Sequence, residues 1–199
     1  MCASARGDGI LFIISGPAGV GKGTLRKALF EEFPDLVYSI SCTTRPFRKG
    51  EEEGVDYCFM SEERFFALVD EGAFLEWAEV HGNLYGTKRT DVEECLVRGD
   101  DMVLEIDVKG SLNVKRQIPE AVRIFITVSS PEVLYERLEV RGTETAEQMR
   151  LRLKNAGDEI SCSREFEHVI VNDCLDVAAQ ELLDLVRYYR SKKRPREET

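Results

Sequence analysis

A short apolar run, Ile10-Leu11-Phe12-Ile13-Ile14, leads straight into Ser15-Gly16-Pro17-Ala18-Gly19-Val20-Gly21-Lys22-Gly23-Thr24, and an amphipathic pattern follows at once. A buried strand that turns through a glycine-rich loop into a helix leaves few folds open. The strand belongs inside a parallel sheet, with helices covering it. Glycines let the backbone curl so that its N–H groups converge, and the helix N-terminus adds a partial positive charge at the same point. The spacing G-x-x-x-x-G-K suits a phosphate cradle, with Lys22 reaching the outer phosphates of a nucleoside triphosphate. A structural turn with a surface lysine would need neither the strand before it nor the helix after it.

The residue after Lys22 is Gly23, where such loops usually offer magnesium a Ser or Thr hydroxyl. Thr24 comes one place later. Magnesium is therefore expected to be held mainly by nucleotide phosphates and water.

With 199 residues, the chain can form one domain with inserted lobes around a real core. Its net charge of −10 argues against broad electrostatic binding to nucleic acid. A polyanionic substrate then needs a local pocket, which gives weight to clustered arginines. Six cysteines without a C-x-x-C and only two histidines, His81 and His168, speak against a zinc site. The first residues lack the apolar stretch of a signal peptide, and no apolar run approaches membrane-spanning length. The expectation is a cytoplasmic protein with reduced thiols, most of them small core residues.

The helix after the glycine loop carries Leu25, Ala28, Leu29 and Phe33 on one face and ends near Pro34. Val37 to Cys42 alternates and reads as one half-buried strand. From Thr43 to about Gly99 charges are dense and aromatics scattered, as in an inserted lobe with a small β-rich core. Ser61 starts a helix there and Gly72 ends it. Met102-Val103-Leu104 resumes the central sheet and ends in Glu105-Ile106-Asp107, where open α/β sheets bind ligands. Ile124 to Val128 is a further strand, and Ser130-Pro131 opens a helix. Thr145 and Gln148 form a capping-box pattern for a helix running through Leu153. With few core residues between Glu139 and Glu147, the stretch 137–159 reads as a short lid bearing arginines. Val169-Ile170-Val171 and Val177 to Tyr189 are the last strand and helix, before a basic tail expected to be solvated.

Ser41-Cys42-Thr43-Thr44-Arg45-Pro46-Phe47-Arg48-Lys49-Gly50-Glu51 places two arginines three apart, so that their guanidiniums can fork onto one phosphate. Tyr57 adds a phenol that can donate to the same group. Alone this is a solvated basic loop; beside the glycine loop it suggests a second phosphate site. Glu76, in Phe74-Leu75-Glu76-Trp77, is an acid among large apolar residues. Guanine presents N1–H and an amino group side by side, and a carboxylate accepts both; adenine lacks that pair. A surface glutamate at a strand edge is the plainer alternative.

The stretches G-P-A-G-V-G-K-G-T, S-C-T-T-R-P-x-R-x-G-E, G-x-D-Y-x-F, F-L-E-W-A, G-N-L-Y-G-T, L-E-I-D-V-K-G, R-L-x-x-R-G-T and V-I-V-N-D occur in this order. With them the chain resembles the guanylate kinase family over essentially its whole length. The resemblance implies a three-layer α/β P-loop fold with a parallel central sheet. It also implies a GMP-binding lobe over about 43–99, a lid over about 137–159, and a core from about 9–42, 100–136 and 160–190. The implied reaction is ATP-dependent phosphorylation of GMP, or of dGMP, with magnesium near Thr24 and Asp107. Gly16, Pro17, Ala18, Gly19, Val20, Gly21, Lys22, Gly23, Thr24, Arg137 and Asn172 are implied at ATP, with Asn172 near the adenine. Arg45, Arg48, Tyr57 and Tyr85 would hold the GMP phosphate, and Ser41, Glu76, Thr87 and Glu105 would read guanine. Asp107 would lie by the reacting phosphates, and Lys22, Arg137, Arg141 and Arg152 around the transferring group. Ala18 stands where the family commonly has serine, and Lys109 where glutamine is common. A kinase for another nucleoside monophosphate is disfavoured by Ser41, Glu76 and Thr87. A non-catalytic module that binds protein ligands is disfavoured by Gly21, Lys22 and the lid arginines.

Overall fold

The computed structural model describes residues 9–80, 82–141 and 146–193, with the backbone alone at 141, 146–148 and 151. The chain runs β1 (Leu11–Ser15), α1 (Lys22–Glu32), β2 (Val37–Tyr38), β3 (Cys42–Thr43), β4 (Cys58–Phe59), α2 (Glu62–Asp70), β5 (Phe74–Val80) and β6 (Asn83–Lys88). It continues through α3 (Arg89–Val97), β7 (Met102–Glu105), α4 (Val108–Gln117), β8 (Val122–Thr127), α5 (Pro131–Arg141), α6 (Ala146–Ser161), β9 (His168–Val171) and α7 (Leu175–Ser191).

One sheet has the order β2-β7-β1-β8-β9, and all its pairings are parallel. Its central strand β1 is buried along its whole length, as its unbroken apolar run requires. The two faces of that strand feed different cores. Phe12 and Ile14 pack with Leu25 and Leu29 of α1, Leu134 and Leu138 of α5, and Leu182 and Val186 of α7. Leu11 and Ile13 pack with Val92 and Cys95 of α3 and Val114 of α4. Helices thus cover both sides of a parallel sheet, a three-layer α/β fold. Because the strands are parallel, their C-terminal ends gather on one edge, and the loops after β1 and β7 meet there.

The second sheet, β4-β3-β6-β5, belongs to the inserted lobe. Its core is built on Phe65, Leu68, Phe74 and Leu84, with the Phe65 and Phe74 rings stacked at 4.5 Å. The Ser61 hydroxyl caps α2 by accepting from the Arg64 N–H at 3.3 Å, and Gly72 ends that helix at φ +68°. α3 follows β6 in the chain but buries Val92 and Cys95 against the main sheet.

Some sequence expectations need correction. Val37 to Cys42 is not one strand. β2 pairs with β7, the Ser39 N–H still reaches the Val103 carbonyl at 3.0 Å, and the chain then crosses to the lobe, where β3 pairs with β6. Alternation does not show that the two ends share a sheet: β2 is half-buried and β3 fully buried. Of the five cysteines among the described residues, Cys42 and Cys95 are buried in cores, Cys58 and Cys162 are half-buried against core clusters, and Cys174 departs from the expectation in being exposed. α6 runs past Leu153 to Ser161. Leu138 and Ala156, inside the stretch read as a lid, are buried in the main core. Lys193, read as solvated tail, donates to the Gly99 carbonyl at 2.8 Å and to Asp101 at 2.7 Å. Cys2, the Thr145–Gln148 cap, the Arg141 side chain and the tail from Arg194 onward lie outside the described residues.

Candidate active site

The loop after β1 is shaped by glycines at positive φ. Gly16, at φ +136°, lies so close to β8 that a Cβ would stand 2.1 Å from the Ile126 carbonyl oxygen. Gly21, at φ +92°, precedes the first helical residue and offers no side-chain cap to α1. No side chain caps the start of α1 and no acidic residue stands in its first turn to compete with an anion, while the Thr24 N–H turns back to the Gly21 carbonyl at 3.1 Å. The Lys22 ammonium arches back over the loop, donating to the Gly16 carbonyl at 2.6 Å and the Pro17 carbonyl at 3.1 Å. Asn172, just past β9, is 2% exposed, and its amide donates to the Val20 carbonyl at 2.7 Å. Arg137 of α5 reaches the same carbonyl at 3.5 Å and the Asp173 carbonyl at 3.3 Å. Asn172 thus grips the loop from behind, an anchoring that the motif V-I-V-N-D did not disclose.

Across the cleft stands the lobe. Glu76 on β5 is 7% exposed and lies in register with Thr87 on β6, whose hydroxyl donates to it at 2.6 Å. Burial pushes the Glu76 carboxyl up to about 7; the Thr87 hydrogen bond opposes this and the Asp107 charge adds to it. The Arg45 guanidinium, also 7% exposed, is held by Glu51 through Nη1–Oε2 at 3.0 Å and Nη2–Oε1 at 2.6 Å. It lies over the Tyr57 ring at 5.1 Å, and the Tyr57 and Tyr85 rings meet edge to face. Glu51 raises the Arg45 pKa against the cost of burial, with Tyr85 adding to the rise.

Between these walls lies an open cleft of about 350 Å³. Gly16, Ala18, Lys22 and Gly23 line it from the loop, Ser41, Tyr57, Glu76 and Tyr85 from the lobe, and Glu105 and Asp107 from the end of β7. Thr87 lies behind Glu76, fully buried. Arg48 is exposed; its backbone N–H, not its guanidinium, joins the Glu51 cluster, at 2.8 Å. Thr24 is exposed and outside the cleft lining. Arg152 of α6 is half-buried.

Three polar lining residues escaped the sequence reading, besides the apolar Ala78, Val80 and Ile106. Arg26 sits one helical turn beyond Lys22, stacks on the Tyr38 ring at 4.3 Å and approaches Glu105 at 3.8 Å. Its i, i+4 spacing from Lys22 was the available signal. Tyr38, at the end of β2, carried none. Glu159 of α6 lines the cleft too; burial raises its pKa, the Lys22 charge lowers it and Asp107 raises it. Among the described residues no group of three or more His, Cys, Asp or Glu forms a ready metal cage. The donors that face the cleft, Glu105, Asp107 and Glu159, are hard oxygen ligands. They suit a magnesium ion that arrives with its nucleotide and keeps most of its waters.

A phosphate loop at the carboxyl edge of a parallel sheet, facing a carboxylate-bearing lobe across one cleft, defines a P-loop nucleotide-binding protein. The guanylate kinase family model matches residues 9–189. The guanylate kinase of Oceanobacillus iheyensis is 47% identical over 185 residues, 93% of this chain and 90% of that one. That of Thermotoga maritima is 44% identical over 184 residues, 92% of this chain and 89% of that one. The crystal structure of guanylate kinase from Anaplasma phagocytophilum superposes with a TM-score of 0.75 at 33% identity, covering 96% of this chain and 88% of that one. The chain belongs to the guanylate kinase family and is an enzyme of that family.

Proposed function

We propose that this enzyme transfers the γ-phosphoryl group of ATP to GMP, giving ADP and GDP, by direct in-line attack of the GMP phosphate oxygen. The observation that carries this reading is the cleft itself, with Lys22 and the uncapped start of α1 on one wall and Glu76 with Tyr57 and Tyr85 on the other. Such a transfer asks for alignment and charge neutralisation rather than a covalent intermediate. The loop N–H groups and Lys22 take the triphosphate. Arg45, Arg48, Tyr57 and Tyr85 take the monophosphate of GMP or dGMP. Arg45 meets it already oriented by Glu51. Glu76 accepts from guanine, supported by Thr87, with Ser41 and Glu105 beside it. Asn172 serves ATP by holding Val20, so its buried amide acts on the loop in place of a direct adenine contact.

Arg137, Arg141 and Arg152 sit on α5 and α6, and closure of that pair over the nucleotides would bring positive charge to the transferring group and exclude water. Magnesium, when bound with ATP, supplies further neutralisation of phosphate charge, and Asp107 would accept hydrogen bonds from its waters. The cytoplasm, where free thiols persist, is the proposed location. Among the described residues no helix is long and apolar enough to cross a membrane.

Coupled measurement of ADP production with AMP, CMP, UMP and GMP tests the reading. Turnover is expected with GMP and is expected to collapse in Lys22→Ala, while the circular dichroism of that variant stays native. Comparable rates with all four acceptors, or full turnover without Lys22, would overturn it.

A further inference from the structure

Gly110 lies buried in the first turn of α4, where its N–H donates to the Asp107 side chain at 2.8 Å. Nothing in the helix itself asks for glycine; alanine is the better helix former and needs no unusual φ here. The demand comes from the lobe. A Cβ on residue 110 would stand 2.5 Å from Oε2 of Glu76 and 2.9 Å from Oδ1 of Asp107, closer than real side-chain carbons come to their neighbours. Glu76 has little room to retreat, because its other oxygen is tied to Thr87 at 2.6 Å and its strand is paired with β6 on that register.

We infer that Gly110 is a positioning residue for base recognition. By carrying no side chain, it lets Glu76 seat its carboxylate against the start of α4, so that both acceptor directions are aligned for the paired donors of guanine. This rests on the reading of Glu76 as the guanine acceptor. A Cβ at 110 displaces the carboxylate while leaving the phosphate loop untouched. The effect therefore falls on the choice of base rather than on ATP. Inosine monophosphate reports it well: it keeps the N1–H of guanine and lacks the amino group, so only GMP uses the full alignment.

The test measures kcat/KM for GMP and for inosine monophosphate, with ATP affinity by calorimetry, in four proteins: wild type, Gly110→Ala, Glu76→Ala and the double variant. Gly110→Ala is expected to lower kcat/KM for GMP by about tenfold or more and to narrow the preference for GMP over inosine monophosphate several-fold. ATP affinity should hold. In the Glu76→Ala background the same substitution should cost little further, since the nearer of the two atoms it strikes is gone. An unchanged base preference in Gly110→Ala, beside a narrowed one in Glu76→Ala, overturns the role of Gly110 and leaves the guanine reading standing. An unchanged preference in Glu76→Ala overturns the guanine reading, and this inference with it. Equal losses with both acceptors would mean that Asp107 gives way instead of Glu76, which also overturns the inference. If Gly110→Ala does not fold, recovery of folding in the double variant supports the contact, and failure to recover refutes it.

Discussion

Glu51 grips Arg45 with both carboxylate oxygens, at 2.6 and 3.0 Å, and so fixes the plane of a guanidinium that is almost wholly withdrawn from solvent. Nη1 also donates to the Pro46 carbonyl at 2.7 Å, so the donors left over are those on the Nε and Nη2 side, the fork that recognition of a single phosphate needs. Glu51→Gln keeps the shape but removes the charge and one acceptor. The KM for GMP is expected to rise roughly five- to fiftyfold, with a smaller fall in kcat and no change in ATP affinity. Steady-state kinetics with varied GMP decide the matter; an unchanged KM would leave Glu51 no part in GMP binding.

Glu76 makes the protein sensitive to pH in a direction opposite to that of a salt-bridged carboxylate. Its ordinary value is 4.5 and its folded value is about 7. Below pH 4.5 both states carry the proton and the group contributes nothing. As pH rises from there the unfolded chain ionises first, so a penalty on folding grows until the folded carboxyl ionises near pH 7, and stays constant above. Glu76→Gln should therefore match the wild type at low pH and exceed it by about 3 kcal/mol near pH 8, as read by denaturant unfolding. For GMP the sign reverses, because the ionised carboxylate is the acceptor. The KM for GMP should fall more steeply as pH rises from about 6 to about 8 in the wild type than in Glu76→Gln, where only the second ionisation of the GMP phosphate remains. The same pH dependence in the two proteins would refute the titration.

The Asn172 amide holds the Val20 carbonyl from 152 residues away in sequence. Asn172→Ala leaves that carbonyl to the longer contact from Arg137, and Asn172→Asp sets a carboxylate against it. Affinity for ATP should weaken about tenfold in the first and further in the second, with GMP affinity intact in both. Calorimetry with each nucleotide separately checks this; equal losses for the two nucleotides would point to a general loosening instead.

Asp101 is 5% exposed and accepts from Arg190 at 2.8 Å, Lys193 at 2.7 Å and the Ile10 N–H at 2.9 Å, joining the end of α7 to the starts of β7 and β1. Removing one partner from such a buried cluster leaves charges uncompensated. Asp101→Asn is expected to lose about 3 kcal/mol of stability, seen as a lower unfolding midpoint in urea, while kcat at 25 °C stays near wild type. A change in kcat without a change in stability would contradict a purely structural role.

Features set within a few neighbouring residues were legible in the chain alone. The strand–loop–helix around Lys22, the Ser61 cap, the Gly72 stop and the apolar run of β8 each depend on local backbone preference and on side-chain period. Dense charge and scattered aromatics marked the inserted lobe, and the family resemblance supplied the grouping of Glu76 with Tyr57 and Tyr85. The tertiary structure alone decided that Val37 and Cys42 part company into two sheets, that Asn172 turns inward to Val20, and that Glu51 closes on Arg45. It also decided that Glu76 comes to rest where Gly110 has no side chain. Each of these depends on how strands register and how helices pack across the sheet. A periodic pattern shows which residues are covered, and only the folded packing determines which distant residue covers them.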